Sequence, residues 1–175
     1  MKRPHLLREI VEIVAITVLF FFLIRLLTQS YHVNDASMQP GLSADSYVMI
    51  NKQAYLFRPP QRGDVIVFHL PTNTNIDYIR RIIGLPGDTV QIDGTQIKVN
   101  NTVLREPYVS ASATPIVNTW KVPPDQYFVL GDNRPSSEDS RYWGPIPKTY
   151  IVGKAIFVYW PTDKLKIIDT PNLAP

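Results

Sequence analysis

The sequence predicts a mainly β protein tethered by a single N-terminal transmembrane helix. Three observations carry that reading: an apolar run from about Ile10 to Leu27, a succession of short β-branched and aromatic segments after it, and sixteen prolines in 175 residues. With that many prolines and few 3.6-residue periods, little of the chain beyond the first thirty residues suits helix.

The apolar run comes first. A spanning helix needs roughly 20 residues, and this run reaches that length if Glu12 and Arg25 sit near its ends and snorkel. Lys2, Arg3 and Arg8 precede it, which places the N-terminus on the cytoplasmic side and residues 31–175 on the far side. A cleaved leader is the competing reading. It fits poorly, because "LLTQSYHVNDASM" offers bulky or polar residues where a cleavage site needs small ones. Residues 1–30 are therefore read as a tip and an anchor in the lipid bilayer.

Strands follow. "SYVMINK", "GDVIVFHL", "DYIRRIIGL", "DTVQID", "TQIKVNN", "QYFVLGD" and "GKAIFVYWP" have strand composition. Asp93-Gly94 signals a hairpin and Asn100-Asn101 the next turn, while "RPPQRGD" and "GLPGD" are turns with fixed-φ prolines and permissive glycines. "REPYVSASATPIVNTWKVPP" lacks periodicity and reads as a long excursion. No repeats occur. The far-side domain, residues 31–175, is thus all-β with a small hairpin and loop inserted at 89–124.

Composition excludes several classes. Eighteen basic against fifteen acidic residues give a net charge of +3, and no basic stripe with interleaved aromatics is present, so nucleic acid is not an expected partner. Without cysteine there is no disulfide, thiolate or zinc-cluster chemistry.

One strand is unusual. In "DYIRRIIGLPGD", Tyr78, Arg80 and Ile82 point to one face and Ile79, Arg81 and Ile83 to the other. If both faces are covered, no shift of register can bring both arginines to solvent. Ser37, beside a Pro-Gly turn in "NDASMQPGL", is a candidate nucleophile, since a serine can attack when a base lies within hydrogen-bond reach. Among His5, His32 and His69, a triad of Ser37, His69 and Asp132 is one arrangement left open.

Taken in order, the anchor, "SMQP", "RGDVIVF", "RRIIGLPGD" and "GDNRPSSEDSRYWGPIP" resemble the type I signal peptidase family, and the likeness covers nearly the whole chain. The resemblance implies an antiparallel, barrel-like β peptidase domain. It also implies a membrane-bound serine endopeptidase, without metal or cofactor, that removes signal peptides from exported preproteins at the outer membrane face, in the setting of the secretion machinery. It places the nucleophile at Ser37 in the serine-methionine pair Ser37-Met38 and pairs Arg81 with Asp132. Ser137 falls on the serine that hydrogen-bonds the general base, and Asp139 with Arg141 on a second ion pair, the alternative being a solvated surface pair.

Two positions depart from the family pattern. Arg80 stands where the family has its lysine base. A buried lysine can lose its proton, whereas arginine is effectively never neutral in a protein. Lys52, Lys98, Lys121, Lys148 and Lys154 all lie in other segments. Asp35 stands where the family has glycine or a serine that serves the oxyanion hole, and an ionised carboxylate there opposes an oxyanion. It either reaches the Ser37–Arg80 pair or faces solvent. Gly41, often threonine in the family, is a smaller change. Two functional classes follow: a peptidase in which His69, His32 or a water relay takes over the lysine's role or in which Arg80 is an engineered knockout of the lysine, or a non-catalytic relative that binds signal peptides or regulates an active peptidase.

Overall fold

Arg3–Leu27 forms one helix, α1, because beyond Pro4 in its first turn it holds no proline or glycine and satisfies its backbone internally, as a bilayer demands. The computed structural model describes residues 3–94, 96–109, 116–171 and 173. Lys2, part of the basic tip, lies outside them, as does the middle of the excursion at 110–115. The 22 residues Leu6–Leu27 are exposed throughout, with no face turned onto the protein. Glu12 is paired one turn on from Arg8 at 2.8 Å, and Arg25 lies over the Phe21 ring, so both charges near the ends have local partners.

The chain leaves α1 directly into β1 (Thr28–His32), which pairs with β2 (Tyr47–Asn51). Then come β3 (Val65–Leu70), β4 (Asn73–Gly84), β5 (Thr89–Asp93), β6 (Ile97–Val99), β7 (Thr102–Val103), β8 (Val117–Lys121) and β9 (Gln126–Leu130). A four-residue helix, α2 (Ser140–Trp143), precedes β10 (Ile146–Pro147), β11 (Ile151–Trp160) and β12 (Lys166–Ile167). Eight strands form one sheet in the order β1-β2-β11-β3-β4-β9-β10, with β12 added on β11, and every strand pair is antiparallel.

The core follows from two-residue alternation along the central strands. Val65 and Val67 of β3 join Met38, Val48, Ile50 and Ile79 in one cluster, while Ile66 and Phe68 join Ile82, Val129 and Ile146 in another. Both faces of β3 and β4 are therefore covered. Arg80 and Arg81 point to opposite sides of a doubly buried strand and are 1% and 4% exposed.

The insertion exceeds a hairpin. β5 to β8 make a second antiparallel sheet of four strands, β7-β6-β5-β8, because the returning excursion adds β8 beside β5 and the Asn100-Asn101 turn adds β7 beside β6. Both asparagines have positive φ, 50° and 68°, the conformation their short polar side chains tolerate in such turns. A third cluster, including Ile83, Val90, Val99, Val122, Phe128 and Leu130, joins the sheets.

Candidate active site

Three segments converge on Ser37: the loop of residues 33–46 between β1 and β2, strand β4, and the stretch from Gly131 to Arg141 that follows β9. Met38 anchors the first. Its side chain is fully buried in the Val48–Val65 cluster and its carbonyl accepts from Leu42 at 2.7 Å. Asn133 fastens the same loop to the third segment, donating its backbone N–H to the Ser37 carbonyl at 2.8 Å and its side-chain amide to the Ala36 carbonyl at 3.0 Å. Gly131 permits this approach, since a Cβ there would lie 2.2 Å from Ser137 Oγ and 2.6 Å from the Ser37 carbonyl oxygen.

The third segment is held by buried ion pairs. Arg81 meets Asp132 with two bonds, Nε to Oδ1 at 2.9 Å and Nη2 to Oδ2 at 2.7 Å, and its Nη1 donates to the carbonyls of Gly63 and Asp169. Burial works against its charge, but the bonds and charge of Asp132 outweigh that and hold the Arg81 pKa above the ordinary arginine value. Asp139, fully buried, accepts from Arg141 Nε at 2.7 Å, from the Gly131 N–H at 3.1 Å and from Ser137 Oγ at 2.8 Å. The second pair is thus interior, and the alternative of a solvated surface pair does not hold. Arg134 bridges to Glu106 with bonds of 3.0 and 2.5 Å.

Around Ser37 Oγ the contacts are short. Arg80 Nη1 donates to it at 2.6 Å, and it donates to Asp35 Oδ1 at 2.5 Å. Arg80 Nη1 also donates to the Ile79 carbonyl and Nε to the Glu138 carbonyl, its guanidinium lies 4.7 Å from the Tyr78 ring centroid, and Nη2 is 3.5 Å from Asp35 Oδ2. Asp35 therefore reaches the pair, although its side chain is 49% exposed.

Ser137 Oγ donates to Asp139 at 2.8 Å, while Arg80 bonds Ser37 Oγ and the Glu138 carbonyl. The histidines are engaged elsewhere: His69 Nδ1 is 2.7 Å from Asp77 Oδ1, and His32 packs on Tyr47 beside Asp45. With Asp132 committed to Arg81, the Ser37–His69–Asp132 triad is not assembled. Lys154 Nζ is bound to Asp64 at 2.5 Å. Tyr31, whose hydroxyl donates to the Asp77 carbonyl, stays neutral: burial, only partly offset by Arg80, pushes its pKa up to about 12.

The chain matches the family described as signal peptidase, peptidase S26, over residues 6–160. The chain belongs to the signal peptidase family. It is 36% identical to signal peptidase I of Leptolyngbya laminosa, with 97% of this chain and 88% of that one covered. It is 33% identical to signal peptidase IB of Staphylococcus aureus, with 97% of each covered. Among solved structures it is similar to a signal peptidase I from Enterococcus faecalis, with a TM-score of 0.50 and 34% identity over 55% of this chain and 97% of that chain. Together with its exposed apolar helix, this makes the chain a membrane-anchored protein of the signal peptidase family with a mainly β body.

Sequence reasoning passed over Asn133, Glu106 and Arg134. Asn133 lies inside the quoted "GDN" motif, where an amide beside a buried aspartate is a usable signal. Glu106 lies in the aperiodic excursion and gives none.

Proposed function

We propose that this chain is a signal peptidase I-type serine endopeptidase that cleaves signal peptides from exported preproteins, with Ser37 as its nucleophile. α1 holds it in the cell membrane with its N-terminus in the cytoplasm, and the β body works on the far face beside the secretion machinery. One observation supports the site above all: Ser37 Oγ is bonded to the side chain of Arg80, 43 positions along the chain, which stands where the family's base is expected. Three buried pairs, Arg81–Asp132, Asp139–Arg141 and Arg134–Glu106, brace the segment that carries Asn133 against Ser37. Such supports position a reacting group; they do not themselves react.

The test is cleavage of a full preprotein by the detergent-solubilised chain, with the new N-terminus read by sequencing. The expected result is release of the mature protein at its signal-peptide junction and its loss in Ser37→Ala. Cleavage that survives Ser37→Ala would move the nucleophile elsewhere.

A further inference from the structure

We propose that Asp35 is the general base for Ser37 in this chain, with Arg80 acting as a fixed cation that holds the serine oxygen. The inference rests on the peptidase reading above and supplies the proton acceptor which that reading lacks. Arg80 can only donate. Since Ser37 Oγ accepts from Arg80, its own proton has one place to go, Asp35 Oδ1 at 2.5 Å. That distance suits a hydroxyl bonded to a carboxylate. No other acceptor competes among the described residues, because His32, His69 and Lys154 have partners of their own and Tyr31 is a neutral phenol.

The surroundings fit the role. Asp35 Oδ1 also accepts the Ser37 backbone N–H at 3.0 Å, so the carboxylate is held by the residue it serves. The charged and titratable groups facing it are Arg80 and Tyr78 on β4 and Tyr31 on β1, with Glu138 beyond, bonded to the Tyr78 hydroxyl. Ser37 is fully buried, so the exposed rim at Asn34 and Asp35 has to shift to admit a scissile carbonyl. A separation of two residues keeps the carboxylate within reach as it does so.

The steps balance. The Oγ–H proton passes to Asp35, and the freed electron pair forms the bond from Oγ to the carbonyl carbon, leaving a tetrahedral oxyanion. Asp35 is then neutral, so the repulsion expected from an ionised carboxylate disappears when the oxyanion forms, and Arg80 balances whichever of the two carries the charge. Protonated Asp35 gives its proton to the leaving amine as the C–N bond breaks. A water, losing its proton to Asp35, attacks the acyl-enzyme, and that proton returns to Ser37 Oγ as the signal peptide departs with its new carboxyl end.

The experiment uses the full chain in detergent micelles and an internally quenched peptide with alanine at the first and third positions before the cut. Wild type is compared with Asp35→Asn, Ser37→Ala and the double variant Asp35→Gly with Arg80→Lys. Asp35→Asn should cut kcat/KM by about 100-fold or more, the scale of a lost general base. Its melting temperature should hold, because the amide oxygen still accepts the Ser37 N–H. Full activity in Asp35→Asn would overturn the proposal. So would an inactive wild type beside an active double variant, which would make Asp35 and Arg80 a lock on Ser37 while leaving the peptidase reading intact. If no protein cleaves, the peptidase reading falls and takes this one with it.

Discussion

Arg81 carries its charge into the interior on a nearly complete set of acceptors: two carboxylate oxygens of Asp132, two carbonyls, and the ring of Tyr108 at 4.1 Å. Removing Asp132 leaves that guanidinium buried without its counter-charge, and breaking such a pair costs about 3–5 kcal/mol. Asp132→Ala should therefore lower the denaturation midpoint sharply. Lys98→Ala breaks a half-exposed pair with Asp93 at 3.6 Å, and such surface pairs are worth about 0–1 kcal/mol. Chemical denaturation of the two variants checks this, and equal small losses would mean that Arg81 is solvated. That the two arginines point to opposite faces was legible in the strand's alternation, because a period of two assigns faces whatever the partners are. The acceptors of Arg80 were not legible: the carbonyls of Ile79 and Glu138 are backbone groups that any residue could supply.

Among the elements, β9 divides its residues between two clusters. Val129 packs with Ile66 and Phe68, while Phe128 and Leu130 pack toward the second sheet. Phe128 is fully buried with its ring 5.1 Å from that of Trp120, and a Cβ at Gly84 would lie 2.9 Å from the Phe128 Cβ, so this seam is tightly filled. Phe128→Ala should cost about 3–5 kcal/mol through the cavity it leaves, measured as a lower urea midpoint. The more conservative Phe128→Leu should cost much less, and an equal loss in both would mean that the seam depends on the ring and not on filled volume. The turns around the second sheet were readable because positive φ is a local demand that Asn and Gly meet by themselves. Its fourth strand was not, since β8 reads as an aperiodic segment until β5 supplies its hydrogen bonds.

For the whole molecule, the anchor and the body make separate physical demands. α1 is apolar on every side and needs lipid, whereas the β body encloses its own core and places its charges in pairs. If the basic tip stays in the cytoplasm, protease added to intact spheroplasts should digest the β body and leave a short protected fragment containing α1. Protection of the body under those conditions would reverse the orientation. By itself the sequence determined the anchor, the strand-rich body, the opposite facing of Arg80 and Arg81, and the family, because hydrophobic length, alternation and contiguous motifs are all local properties. Only the tertiary structure decided what Ser37 touches. The Asp35 side chain was free to face solvent or the serine, and that choice came from where β4 presents Arg80 and where Asn133 pulls the loop. Those contacts span 43 and 97 residues of chain, so no local pattern encodes them.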